Sequence, residues 1–300
     1  MIRTLALLCL VAAPALAAYK ANLRVRFDLN PLAFGSSSFV ELPLTVWQAV
    51  AKGWTQKTGP TVPSGYEALV LYGPADDNTV NLYYDDNDWV AGFQIGLDKE
   101  QISDAVFDFE IQGFTSWTTT LSNGTSRDYW TITTYFFTPD YLTTDATTRN
   151  SSRNTETLIQ GGSMAVNGYN GDLYTISADP TVIANTSVSG FTEQACMIWM
   201  GHHYYYNMTT STECVQGNMF PWFPLAYNGV VTGIGFNFFG KYAPRPDNFN
   251  YFENPASAAV KLIVPRGPTC LYDLADDPSI LTMHIYFIET PRTALCVFEG

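Results

Sequence analysis

The sequence contains little histidine and little positive charge. Three histidines occur in 300 residues, and 15 Lys and Arg residues stand against 28 Asp and Glu residues, for a net charge of −13. The basic residues form no cluster, so a nucleic-acid backbone would be repelled and nucleic acid is excluded as a partner. Beyond the N-terminus, no stretch approaches the ~18 consecutive apolar residues of a membrane helix. The sequence therefore predicts no membrane insertion.

The N-terminus has the pattern of a secretory signal peptide. Arg3 precedes an apolar run, and the small residues Ala15 and Ala17 occupy the third-last and last positions before a cleavage point. Such a segment is removed on export and implies an oxidising, extracellular environment. We therefore expect residues 1–17 to be a signal peptide and the protein to be secreted.

Cysteine is missing from residues 18–195, so the first half of the mature chain folds without disulfides. The cysteines that remain after export are Cys196, Cys214, Cys270 and Cys296. In an oxidising compartment we expect all four to form disulfides, and four cysteines allow three full pairings. Proximity in sequence favours Cys196–Cys214 and Cys270–Cys296, which would each close a short loop.

Four Asn-x-Ser/Thr sequences are acceptor sites for N-linked glycans. They begin at Asn123, Asn150, Asn185 and Asn207. A glycan requires a surface position. Together with the signal peptide, these sites predict a glycoprotein.

The pattern of apolar residues and turn signals predicts mainly β structure. Two hairpins are predicted, Thr79–Tyr84 with Trp89–Ile95 and Thr115–Leu121 with Tyr129–Phe137, the second around an Asn-Gly turn. Further strands are predicted at Val230–Phe238, Ala259–Val264 and Ile280–Ile288, and short helices at Leu44–Lys52 and Asp98–Asp104. We expect an antiparallel β-sandwich or jelly-roll with few short helices.

The polar stretch Thr143–Thr157 has no apolar periodicity and is typical of a linker or an exposed loop. A division there gives a β-rich N-terminal half, residues 18–158, and a disulfide-bearing β-rich C-terminal half, residues 159–300, as two stacked sandwich domains. The alternative is one continuous sandwich over residues 18–300.

The adjacent histidines His202 and His203 lie between two cysteines in a segment rich in tyrosine. Histidine is the commonest metal ligand, and imidazole suits both copper and zinc. In a regular strand, His202 and His203 face opposite sides, although Gly201 allows a bulge or turn that would bring them together. His284 lies opposite an apolar face in a later strand. We therefore predict a metal site formed by His202, His203 and His284, with partly exposed, hydrogen-bonded histidines as the alternative.

Four features occur in order in this region: His202-His203, then Cys214, then the run Gly233-Ile-Gly-Phe236, then His284. This order resembles the first domain of the copper type II, ascorbate-dependent monooxygenases. In that family the adjacent histidines and the third hold one copper on a β-sandwich domain, so the resemblance implies a copper site at the same three residues. The family also has a second copper site with a His-x-His pair and a methionine, and no histidines remain here for it. The resemblance therefore implies a single copper centre without the two-copper hydroxylase.

Two functions are compatible with the sequence. The first is a secreted glycoprotein that acts as an extracellular binding or structural module. In this case Tyr204, Tyr206 and Trp222 would contact an extracellular ligand, protein or glycan, since aromatic rings offer large contact areas; the alternative is that they form core. The second is a mononuclear copper or zinc protein. No catalytic signature is evident, so enzymatic activity is not predicted, and we expect function in residues 190–300.

Overall fold

The computed structural model describes residues 19–26 and 38–296; the predicted signal peptide lies outside them. The strands are β1 (Ala21–Arg26), β2 (Phe39–Glu41), β3 (Thr55–Lys57), β4 (Val70–Gly73), β5 (Val80–Tyr84), β6 (Val90–Asp98), β7 (Ile102–Ser103), β8 (Thr115–Thr120), β9 (Ser126–Tyr135), β10 (Ser163–Asn167), β11 (Leu173–Ser177), β12 (Phe191–Met197), β13 (Gly201–Tyr206), β14 (Trp222–Tyr227), β15 (Val230–Phe239), β16 (Lys241–Tyr242) and β17 (Ile280–Ile288). The helices are α1 (Val46–Ala51), α2 (Pro139–Leu142), α3 (Ala146–Ser152), α4 (Pro180–Ala184), α5 (Thr186–Ser189), α6 (Ser257–Ile263) and α7 (Thr269–Asp276).

The strands form two large antiparallel sheets. One has seven strands in the order β12-β13-β14-β15-β17-β1-β2. The other has the order β11-β10-β9-β6-β5-β4-β3, with β8 paired to β9 as its eighth strand. The prediction of an antiparallel β-sandwich with few short helices is confirmed. Each sheet takes strands from both sides of residue 158, since β1 and β2 complete the seven-stranded sheet while β10 and β11 complete the eight-stranded one.

The core between the two sheets is largely aromatic. The rings of Phe136 and Phe287 meet edge to face at 5.2 Å, and those of Phe114 and Phe236 at 6.0 Å. In β17 the residues Leu281, Met283, Ile285 and Phe287 all face this core, as their alternation predicts. Because side chains alternate along a strand, His284 faces the other side of the sheet.

A helical layer covers that other side of the seven-stranded sheet. Val260 and Ile263 of α6 and Leu271 of α7 are buried there in a second apolar cluster. The prediction of a strand at Ala259–Val264 is wrong, because this segment contains most of α6. Its buried residues recur at positions i, i+3 and i+4, which is the helical period, and a run this short also fits a strand. Pro265 follows directly and favours the end of the helix.

The other elements follow the predictions with local differences. Both predicted hairpins form, as β5 with β6 and as β8 with β9, and α1 lies within the predicted helix Leu44–Lys52. The segment Asp98–Asp104 contains only a 3₁₀ turn followed by β7. The polar stretch Thr143–Thr157 contains α3. Within the described residues, no helix is both long and apolar enough to cross a bilayer.

All four cysteines form disulfides, but not in the pairing that proximity favours. The pairs are Cys196–Cys296 and Cys214–Cys270. Cys196 lies near the end of β12, where Trp199 donates a backbone hydrogen bond to Ala294 and so holds the C-terminal segment beside it. Which cysteines lie close enough to pair is therefore decided by how the sheet is assembled and not by their distance along the chain.

Candidate functional site

Two of the three histidines meet in a buried position between the seven-stranded sheet and the helical layer. The Nε2 atoms of His203 and His284 are 3.4 Å apart, and the residues are 0% and 2% exposed. His202 lies on the opposite face of β13, where its Nδ1 is 3.0 Å from the carboxylate of Glu193 and its side chain is 20% exposed. The structure therefore brings together His203 and His284 but not His202.

The hairpin that carries the adjacent histidines explains their divergence. A turn at residues 198–200 separates β12 from β13, and Gly201 begins β13 with a φ of +88°. The glycine thus accommodates the turn before the histidines, as the sequence allows, but the strand after it is regular. Adjacent side chains of a regular strand point to opposite faces. His202 and His203 are therefore held apart.

Phe223 and Gly235 fill the space between the strands that carry the histidine pair. Strands β14 and β15 lie between β13 and β17. The Phe223 ring has its centroid 5.6 Å from that of His203 and 5.4 Å from that of His284. A Cβ atom at Gly235 would overlap this ring. The second glycine of the Gly-x-Gly-Phe run, Gly235, thus leaves the space that the Phe223 ring occupies. The packing of both imidazoles against that ring depends on it.

A buried carboxylate orients His284. The Nδ1 of His284 lies 2.6 Å from Oε2 of Glu253, and both side chains are almost completely buried. The other carboxylate oxygen lies 3.8 Å from Nε of Arg26 in β1, which is buried too. Since a carboxylate only accepts hydrogen bonds, His284 carries its proton on Nδ1 when neutral.

Backbone carbonyl groups orient His203 in the same way. Its Nδ1 is 3.1 Å from the carbonyl oxygen of Gly201 and 3.3 Å from that of Ala195. Carbonyl oxygens only accept, so Nδ1 of His203 must be the donor. In their neutral forms both histidines therefore direct an Nε2 lone pair at the other. Two buried acceptors without a donor cost about 1–3 kcal/mol each, and either a metal ion between the two Nε2 atoms or a proton on Nε2 of His284 would relieve that cost.

The surroundings of the pair disfavour added protons on His203. Burial, and then the neighbouring His284, lower the pKa of the His203 imidazole to about 3. Burial also raises the pKa of the Tyr205 hydroxyl, and Glu253 adds to that rise. His203 is therefore a neutral imidazole with a free lone pair at neutral pH, which is the form that binds metals.

The distance between the two Nε2 atoms suits a bridging ion. Two nitrogens at ~2.0–2.1 Å from a tetrahedral zinc-like ion lie about 3.3–3.4 Å apart, and the observed distance is 3.4 Å. Histidines that bind metals usually donate their other N–H to a carboxylate or a backbone carbonyl group, as both do here. Among the described residues, no three His, Cys, Asp or Glu side chains are grouped to hold an ion. Any further ligands would come from outside this set.

Of the three aromatic residues predicted to bind a ligand, Tyr204 and Trp222 are buried and Tyr206 is half-buried. Trp222 is fully buried in the sandwich core and donates from Nε1 to the carbonyl oxygen of Asn167 at 2.8 Å. Tyr204 is in the same core, and Tyr206 packs against it. Their rings contact other aromatic side chains, which accounts for the aromatic content of this region without a ligand.

The four predicted glycan acceptor residues lie at the surface. All four acceptor residues Asn123, Asn150, Asn185 and Asn207 are exposed, which glycosylation requires.

The acidic turn of the first hairpin pairs with arginines. Asp85 accepts from the backbone N–H groups of Asn87 and Trp89 and binds Arg153 at 2.7 Å. Asp86 binds Arg149. This turn is therefore held by ion pairs.

Sequence reasoning missed Glu253 and Arg26. Glu253 lies in the loop before α6, and its partner His284 is 31 residues away. The available signals are an acidic residue within the apolar segment Tyr251–Pro255, and an arginine at the end of the alternating strand β1. Neither signal identifies the partner, because the contacts depend on how the sheet is assembled.

Comparisons with protein-family models, curated proteins and solved structures found no match to this chain. The resemblance to copper monooxygenases therefore remains a prediction from short motifs. Any functional assignment has to come from the site itself.

Proposed function

We propose that this protein is a secreted glycoprotein that binds one transition-metal ion between His203 and His284. The observation that carries the proposal is that both Nδ1 atoms contact hydrogen-bond acceptors while the two Nε2 atoms lie 3.4 Å apart. In the neutral forms of both rings, two Nε2 lone pairs therefore face each other. Glu253 and the carbonyl group of Gly201 hold the rings in this orientation. Imidazole ligands suit copper and zinc.

The burial of the pair supports a tightly held ion. The rings of Phe223, Tyr205 and Tyr286 pack beside the imidazoles, with centroids 5.4–6.5 Å from an imidazole centroid. An ion at this position would be shielded from solvent. It would link β13 to β17, which are separated in the sheet by β14 and β15. The secreted, glycosylated state rests on the signal peptide pattern, the acceptor sites and the two disulfides.

Elemental analysis of protein secreted by a eukaryotic host, and purified without a histidine tag, tests the proposal. We expect about one equivalent of copper or zinc. A metal ion at 100 times its Kd should also raise the free energy of unfolding by about 2.7 kcal/mol.

The adjacent histidines supply a matched control. His203→Gln and His284→Gln should each abolish binding, whereas His202→Gln, on the opposite face of the same strand, should leave it unchanged. A native metal content near zero, with no stabilisation by added Zn²⁺ or Cu²⁺, would contradict the proposal. Equal losses of metal binding in His202→Gln and His203→Gln would also contradict it.

A further inference from the structure

A pocket of about 400 Å³ lies beside the start of β1 and shares no wall residue with the histidine pair. Its wall is formed by the first residues of β1, by the chain at the start of β6 and by the loop that follows α3. Pockets that bind small molecules have volumes of about 300–1,000 Å³. This pocket therefore has the size of a small-molecule site.

Most of the wall is apolar. The side chains of Leu44, Val90 and Leu158 line the pocket together with the indole of Trp89, which is half-buried. An apolar group that enters the pocket loses its contact with water, and its removal from water is favourable. The wall therefore suits a ligand with an apolar body.

The charged residues of the wall are both cationic. Among the described residues that line the pocket, Lys20 and Arg153 carry a charge and none is acidic, although the chain has 28 acidic and 15 basic residues. Their partners lie outside the wall: Asp85 is 2.7 Å from Arg153, and Glu289 is 3.7 Å from Lys20. The Lys20 pair is exposed and therefore weak. A negatively charged group in the pocket would meet positive charge and no like charge from the wall.

The guanidinium of Arg153 has a donor to spare. Its side chain is 9% exposed, and its Cζ lies 5.2 Å from the centroid of the Trp89 ring. Nη2 donates to the carboxylate of Asp85, while Nη1 contacts no acceptor among the described residues. A donor without an acceptor in a largely buried group is costly, and hydrogen bonds from a guanidinium to a carboxylate are among the strong ones. A ligand carboxylate at Nη1 would supply the acceptor.

The wall is shaped before any ligand arrives. The buried side chain of Gln160 accepts from the backbone N–H of Asn154 and donates to the carbonyl groups of Asn154 and Thr157. The carbonyl group of Thr155 accepts from the backbone N–H of Ala21, which ties this loop to β1. Binding therefore does not have to order the loop, and that entropy cost is avoided.

We propose that this pocket binds a small amphipathic monocarboxylate. Its aromatic or short aliphatic body packs against Trp89 and Leu158, and its carboxylate accepts from Nη1 of Arg153 with Lys20 nearby. The proposal does not depend on the metal site, because the two sites share no residue.

Isothermal titration calorimetry with 4-phenylbutyrate and octanoate as probes tests the proposal. At least one of the two should bind at a single site. The corresponding amides, 4-phenylbutyramide and octanamide, have the same bodies without the charge and should bind about tenfold more weakly or less. His203→Gln should bind the probes as the unaltered protein does, which separates this site from the metal site.

Three variants locate the site. Arg153→Lys keeps a positive charge beside Asp85 and removes the Nη1 donor, so it should weaken carboxylate binding about tenfold. Arg149→Lys is the matched control, because Arg149 pairs with the neighbouring Asp86 and is not part of the wall; it should leave binding unchanged. Ala21→Leu places a larger side chain in the pocket and should abolish binding.

Four outcomes would overturn the proposal. They are the absence of binding by both carboxylates, an amide that binds as tightly as its acid, equal losses in Arg149→Lys and Arg153→Lys, and full binding by Ala21→Leu. A protein that binds the probes but holds no metal would overturn only the proposed metal site.

Discussion

The Glu253 carboxylate interacts with two buried side chains, His284 and Arg26. It accepts from Nδ1 of His284 and lies beside Arg26. Glu253→Gln can still accept from His284 but cannot balance Arg26. We expect metal affinity to fall by about 10–100-fold, and the free energy of unfolding to fall by about 3–5 kcal/mol, because a buried charge loses its partner. Competition with a chelator and urea unfolding measure the two effects.

Glu193→Gln is the matched control for that substitution. Glu193 contacts His202 in the same way, but its side chain is 43% exposed. Exposed pairs contribute about 0–1 kcal/mol, so this variant should retain both metal binding and stability. Equal effects of the two substitutions would show that the buried carboxylate has no special part in the site.

His203 should make the metal-free protein less stable in mild acid. Its pKa is lowered from 6.5 to about 3 in the folded state, so between these values the unfolded chain binds a proton that the folded protein does not. The stability is complete above pH 6.5 and is lost as the pH falls toward 3, by about 1.4 kcal/mol per pH unit. Urea unfolding at pH 6.5 and pH 5 should differ by about 2 kcal/mol more in the unaltered protein than in His203→Gln. If the free energy of unfolding changed equally with pH in both proteins, the lowered pKa of His203 would be refuted.

The packing of β14 against β15 depends on Gly235 having no side chain. A Cβ at Gly235 would overlap the ring of Phe223, which lies between the histidines. Gly235→Ala should therefore displace the ring, lower the free energy of unfolding by about 1–3 kcal/mol and weaken metal binding. Gly217→Ala is the control, because a Cβ there meets no atom within 4 Å. Thermal unfolding and metal titration distinguish the two variants, and indistinguishable results would contradict this account.

The elements around the site differ in how far the sequence predicts them. The alternation in Ile280–Ile288 predicts that His284 faces away from Leu281 and Met283, and the structure agrees. The helical layer that packs on the His284 face of the sheet was not predictable, because the apolar run of α6 is short enough to fit either a strand or a helix. The partnership of Glu253 with His284 depends on the loop before α6 and has no local signal. Local patterns therefore predict which way a residue faces, and sheet assembly decides what it meets.

At the scale of the whole molecule, the two disulfides join distant parts of the chain. Cys196–Cys296 spans 100 residues and Cys214–Cys270 spans 56. A long loop loses more chain entropy on closure than a short one, so Cys196→Ser with Cys296→Ser should lower the free energy of unfolding by about 2–5 kcal/mol. Peptide mapping under non-reducing conditions should find the peptide of Cys196 linked to that of Cys296. A link from Cys196 to Cys214 would instead support the pairing that proximity favours.

The pairing of β1 with β17 sets the order in which the protein can be completed. Ala21 lies opposite Ile288, so β1 can pair with β2 early in synthesis but can pair with β17 only once β17 has been made. The eight-stranded sheet uses β3–β6 and β8–β11, which all precede β12 in the chain, and it can assemble during synthesis. Contacts between distant residues form slowly because they close long loops. The seven-stranded sheet, with Arg26 beside Glu253, therefore closes only after β17 has been synthesised, and a ribosome-stalled chain that lacks β17 cannot contain the histidine pair.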